Sequence, residues 1–368
     1  MKRHAHAIIA LLILILLISG CASSPPASEN IQLWPSPPEE PRITFVASYR
    51  GQSDFKEWGF FDKLFGAQIQ DDISSPFAAI GYQDKIYVTL IKSGLVAIID
   101  PKEKKVTMIG DKEPGKLATP MGIAIDAAGT IFVSDAQRAQ VLAFGQDGKL
   151  KAFIGKKNEL ERPVSISINK GLQRLYVADT TLHKVKVYST NGDPLFEFGA
   201  RGSEDGKFNY PTGIEVDQKS GDVIVADSQN HRIQIFDKDG KFKKTFGQAG
   251  DGVGSFGMPK SIGIDSEGHL YVVDGILVNF QIFNPDGQVL MRIKGNNYGR
   301  EGFQTPGDIF VDDNDRIYIA DQRNNRVQVY QYLSEKWKKA HPEEYQKYLS
   351  FGEPEKATPQ KPEDNKGK

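Results

Sequence analysis

The chain has 368 residues, 39% of them hydrophobic and 25% charged, proportions of an ordinary globular protein. Its 46 basic and 47 acidic side chains leave a formal net charge of −1. That excludes the broad basic field of a bulk nucleic-acid binder, and no nucleic-acid partner is expected. A single cysteine excludes an internal disulfide framework and a thiolate metal cluster.

Residues 1–21 read MKRHAHAIIALLILILLISGC. Lys2 and Arg3 precede an apolar core, Ala7 to Ile18, that is shorter than the ~20 residues a membrane span requires. Residues 1–20 therefore read as an export signal. Their end, Ile18-Ser19-Gly20-Cys21, resembles the lipobox of bacterial lipoproteins. The resemblance implies a lipid on Cys21, which then becomes the mature N-terminus and anchors the protein to a membrane. Two or more acyl chains give stable anchoring where one is marginal. Ala22 follows, not Asp, which by likeness to lipoprotein sorting in Gram-negative cells implies the outer membrane of the cell envelope. The alternative is an ordinary signal peptide with an incidental cysteine.

Residues 22–41 are rich in proline and read as a tether. Residues 42–51, RITFVASYRG, alternate like a strand that has lost its partners. Between 55 and 66 stand Trp58, Phe60, Phe61, Leu64 and Phe65, either a helical cap on the next unit or a partner or membrane contact. Prolines then recur at Pro76, Pro120, Pro163, Pro211, Pro259 and Pro306. Each opens four short β-type runs, best seen from Pro211 to Gly247, where Asp239-Gly240 marks a hairpin. A period of about 40–50 residues with four strands per unit predicts a β-propeller. The sixth unit stops after three runs, at Tyr330, so the orphan strand at 42–51 is expected to complete it. The fold class is all-β: a six-bladed, four-stranded antiparallel propeller over 42–332, then a helical segment at 333–351 and a disordered tail at 352–368.

The sequence of an opening proline, Gly-Ile-x-Val-Asp, Tyr-Val-Ala-Asp and Asn-x-Arg-Ile-Gln-Ile-Phe resembles the NHL repeat. It is best kept at Pro211–Gly247 and Pro306–Tyr330 and recognisable over 76–330. The resemblance implies a bacterial NHL-type propeller lipoprotein, and implies little about activity, because unrelated functions share such folds.

Three units keep an acid after the second run and a base before the third: Asp179 with Lys184, Asp227 with Arg232, Asp321 with Arg326. Asp135 and Asp274 recur opposite Gln140 and Asn279. Repeated ion pairs bracing a loop are expected, since a catalytic residue is needed once rather than in every blade. Departures from the repeat point elsewhere. Asp308, Glu215 and Lys260 fall on first strands, where neighbours are neutral, and are expected at the mouth of the axial channel. The long loops after the fourth runs present Arg201, Lys207, Tyr210, Tyr298 and Arg300 for partner binding, whereas Phe208, Phe256 and Phe303 recur in register and read as plugs between blades. Gly252 to Gly257 match GxGxxG by letter, but a strand follows rather than a helix. Some relatives in the NHL group are zinc-dependent amidating lyases. Of His183, His231, His269 and His341, only His183 and His231 share a face, short of the three protein ligands usual at catalytic zinc. No metal, cofactor or catalytic residue is therefore assigned, although His231 stays a candidate ligand-binding residue.

Three functions fit this pattern. A lipid-anchored, monomeric, non-catalytic propeller could bind an envelope protein or peptide on its loop-rich face. A hydrolase or lyase could work around Glu215, Asp308 and His231. A cell-wall or carbohydrate binder could stack sugars on Tyr298 and Tyr210.

Overall fold

A computed structural model describes residues 31–56, 72–295 and 302–351. Six antiparallel sheets form the ring of blades, the first five ordered by sequence from the inside out. Blade one spans 76–109, blade two 120–154, blade three 163–198, blade four 211–246 and blade five 259–294, and blade six begins at Pro306. The inner strands are continuous apolar runs such as Val223–Asp227, buried along their whole length, because neighbouring blades cover both faces. The outermost strands face solvent on one side and alternate accordingly, as in Phe242–Phe246.

Blade six is closed as expected. Two strands near the N-terminal end, β1 (Leu33–Trp34) and β2 (Ile43–Tyr49), join the last blade. β2 pairs antiparallel with Arg326–Tyr332, Ile43 opposite Tyr332 and Tyr49 opposite Val327. The tether expected at 22–41 needs correction at its C-terminal end. β1 adds to the outer side of β2, so blade six has five strands, and Trp34 meets Tyr330 edge-on at 5.7 Å. The alternation that would reveal a strand is absent from so short a pairing.

The helical segment divides into α1 (Glu335–Ala340), capped by the Ser334 hydroxyl, and α2 (Pro342–Ser350), with Pro342 in its first turn. Leu333, Trp337 and Tyr348 form a small core with Leu33. Glu40 accepts hydrogen bonds from Lys338 at 2.8 Å and Tyr345 at 2.5 Å, and Lys338 foremost holds its carboxyl down at about 2. The export signal and Cys21, the aromatic stretch from Trp58 to Phe65, Tyr298, Arg300 and the tail 352–368 lie outside the described residues. Among the described residues no helix is long and apolar enough to cross a membrane.

Candidate functional site

The acid that ends each second strand is a loop anchor before it is an ion pair. Asp135, Asp179, Asp227, Asp274 and Asp321 are fully buried. Asp179 accepts backbone N–H groups from Glu161 at 2.7 Å, Arg162 at 3.1 Å and Leu182 at 3.1 Å. It thus ties the loop entering its blade to the turn leaving its second strand. Asp274 does the same with Gly257 at 2.7 Å and Leu277 at 2.9 Å. Two of the expected ion pairs form: Asp227 with Arg232 at 2.9 Å and Asp321 with Arg326 at 3.3 Å. The third does not. Lys184 pairs with Glu197 on the neighbouring strand, and Lys186 joins it at 2.8 Å, while Asp179 is taken up by backbone donors. A lysine on a flexible stem reaches the exposed carboxylate in preference to the buried one, where its ammonium would lose solvation.

Sequence reasoning overlooked a second set of anchors. Gln234 and Gln281 sit fully buried in the middle of third strands. Gln234 donates to the Lys207 carbonyl at 2.7 Å, and Gln281 donates to that of Ser255 at 2.8 Å. The glutamine that recurs inside an otherwise apolar strand was the signal. Phe208, Phe256 and Phe303 are buried between blades. A Cβ on Gly199 or Gly247 would fall 2.4 Å from the Phe208 or Phe256 ring, and both glycines have positive φ, so loop entry and plug are built together.

Both histidines of the loop-rich face close turns in the left-handed region, with φ of 56° for His183 and 55° for His231. His183 Nδ1 accepts from the Tyr210 N–H at 3.1 Å, and the two rings meet at 4.5 Å. His231 Nδ1 lies 2.8 Å from the Gly257 carbonyl, which requires the proton on that nitrogen. Each ring therefore already ties one loop to the next blade. Among the side chains the face turns outward are Arg201, Lys207 and Tyr210 from the loop before blade four, Lys207 paired with Glu204 at 3.4 Å, Val253 from the loop before blade five and Ile276 from blade five itself.

Glu215 and Asp308 line the axial channel, and Lys260 does not. Lys260 is one residue out of phase with the channel-facing Ser261, and its stem lies against Gly275. Burial lowers its pKa, and Asp274 opposes that shift. Asp308 lies on the loop-rich side of Glu215, two positions or about 7 Å along the strand direction. It accepts from the Ser261 hydroxyl of blade five and from the Ala79 N–H of blade one at 3.2 Å, so it bridges three blades. Burial raises its carboxyl to about 6. Glu215 accepts from the Ser167 hydroxyl of blade three at 3.1 Å. It is partly accessible, but it lines a cavity walled by the blades. Burial raises it to about 8; the Val216 N–H, Ser167 and Lys170 oppose this, and Asp308 adds to it. The cavity it faces, of ≈ 320 Å³, opens away from the loop-rich face, toward the turns between first and second strands. The channel thus does not bring Glu215, Asp308 and His231 together, as the expected hydrolase or lyase site required: His231 belongs to the loop-rich face.

A family model for the NHL repeat matches residues 208–236 and 303–330. Blades four and six are NHL repeats. No protein of curated function matches the sequence significantly. Among solved structures, the propeller is similar to a gluconolactonase from Xanthomonas campestris at 17% identity and TM-score 0.55, covering 70% of this chain and 85% of that one. It is similar to a catalytically inactive virginiamycin B lyase from Staphylococcus aureus, solved with quinupristin, at 14% identity and TM-score 0.54, covering 72% and 82%. A chain of a nidogen/laminin complex matches at 18% identity and TM-score 0.52, covering 69% and 87%. At such identities the likeness shows a shared propeller fold.

Proposed function

We propose that this NHL propeller is a non-catalytic binding module, held to a bacterial membrane by a lipid on Cys21, that recognises an envelope protein or peptide on its loop-rich face. The observation that carries this reading is the division of labour on that face. Its aspartates, glutamines and histidines hold loops in place through buried hydrogen bonds, as at Asp179, Gln234 and His231. Its outward side chains include Arg201, Tyr210, Val253 and Ile276, the last 61% exposed, set among charged residues such as Glu204, Asp205 and Lys207. Rigid loops presenting such anchors bind with little loss of side-chain and loop freedom. One of the similar chains comes from a complex of two proteins. The tether and lipid would set the propeller at a fixed reach from the membrane surface.

The test is crosslinking in intact cells with tagged wild type and the double variant Arg201→Glu, Ile276→Asp. A partner recovered stoichiometrically with wild type should be lost with the double variant, while Leu172→Asp on the opposite face retains it. Equal recovery with the double variant, its melting curve unchanged, would sink the proposed face. Cys21→Ser should move the protein from the membrane to the soluble fraction; its retention in the membrane would remove the anchor.

A further inference from the structure

The turn-side cavity lies at the far end of the axis from the proposed partner face, and its chemistry is independent of that reading. At the level of Glu215 its wall carries Ile80, Ala124 and Phe310. Among the described residues Glu215 is the one ionisable side chain at that depth, and Ser167 is the one side chain hydrogen-bonded to it. Beyond it the channel narrows to a neck of ≈ 20 Å³, room for about one water. Asp308 lines that neck.

The mouth is acidic. Asp217, Asp265, Asp312 and Asp313 line it against two lysines, Lys170 and Lys219. Both lysines are engaged, Lys170 with Asp313 at 3.8 Å across the mouth and Lys219 with the Ser266 carbonyl. The deeper Asp308 adds to the acidic side, and Glu215 joins it once it gives up its proton. A walled cleft of low dielectric concentrates the field of its majority charge, here attractive to cations. An anion would meet that field unpaired. A neutral apolar molecule would cover the Glu215 carboxyl and leave it Ser167 as its one side-chain partner, in place of the water it loses, which is unfavourable in an enclosed site.

We infer that the channel is a binding site for a small organic amine, whose ammonium pairs with Glu215 and Ser167 and whose apolar body lies against Ile80, Ala124 and Phe310. An ammonium has three donors and no acceptor, which suits the Glu215 carboxylate, the Ser167 oxygen and the water-sized neck toward Asp308. Binding is coupled to a proton. Burial keeps Glu215 protonated near neutrality, and an ammonium at contact favours its charged form, so the carboxyl gives up its proton as the amine enters. The other charged groups facing Glu215 are Asp308 of blade six, which raises it, and Lys170 of blade three, which lowers it. Asp217 on its own strand and Asp312 and Asp313 of blade six stand further out at the mouth.

The experiment is calorimetric titration of the full mature protein at pH 7 with hexylamine, hexanol and hexanoate, in two buffers of different ionisation enthalpy. Saturable binding of hexylamine is expected, with about half a proton or more released per amine. Hexanol, hexanoate and the Glu215→Gln protein titrated with hexylamine should each bind at least about tenfold more weakly. Ala124→Phe, which fills the cavity and spares the carboxyl, should abolish binding. Hexylamine bound equally by Glu215→Gln, no preference over hexanol, no proton release, or no hexylamine binding would each overturn the inference. Partner recovery on the loop-rich face should be unaffected by Glu215→Gln, so the two readings stand or fall separately.

Discussion

At the scale of single residues, Glu215 shows how a position can disfavour folding and still be kept in place by its surroundings. Its carboxyl holds a proton more tightly in the folded protein than in the unfolded chain, where its ordinary value is 4.5. Between 4.5 and about 8 the folded state therefore binds more protons, and stability must fall as pH rises through that window. Glu215→Gln keeps the acceptor for Ser167 and has no charge to bury. It should match wild type near pH 4.5 and exceed it by about 2–4 kcal/mol at pH 9 in chemical denaturation. Equal stability at both pH values would mean that the channel solvates the carboxylate. Glu215 and Asp308 were visible in the sequence as breaks in a repeat. Which way their cavity opens was not, because repeat position gives depth along a strand and says nothing of where the axis is blocked. Lys260 was misplaced for a related reason: one residue of phase turns a side chain from the channel to the blade surface.

At the scale of strands and loops, the repeated aspartate is structural as expected, and the ion pair forms at Asp227 and Asp321 but not at Asp179. Spacing brings Lys184 near Asp179, but it cannot show that backbone N–H groups have already claimed the carboxylate. The distinction is measurable. Lys184→Ala loses an exposed pair with Glu197 and should cost less than about 1 kcal/mol. Asp179→Ala strands three backbone donors and should cost about 3 kcal/mol or more by denaturant unfolding. Comparable losses from the two substitutions would restore the ion-pair reading. The four-strand period, the aromatic plugs and the helical segment were all legible, since each rests on local patterning. β1 was not: two residues cannot display alternation, and their pairing depends on where a distant strand happens to lie.

At the scale of the whole molecule, the propeller buries apolar strands between blades and leaves function to whatever its two ends present. On the reading proposed above, the loop-rich end displays anchors for a macromolecule; the turn-rich end encloses a small cavity lined by acidic residues. A single ring can thus hold two independent recognition sites, with a neck of ≈ 20 Å³ lined by Asp308 between them. The sequence carried the ring almost completely and the ends only in outline, because blade geometry repeats and surface chemistry does not.

The pairing of β2 with Arg326–Tyr332 has a consequence for time as well as shape. As the chain is made from its N-terminus, Ile43 has to wait for Tyr332, with five blades built in between. Until then the ring stands open, and two strand edges invite pairing with another molecule. Closure is the last event, and one with high loop-closure entropy. Pulse-labelled hydrogen exchange during refolding should find the Ile43–Tyr49 amides protected after those of blades two to four; early protection would show that the clasp forms first. A cell that makes this chain must keep its newly emerged end apart from its neighbours' ends for the whole length of its synthesis.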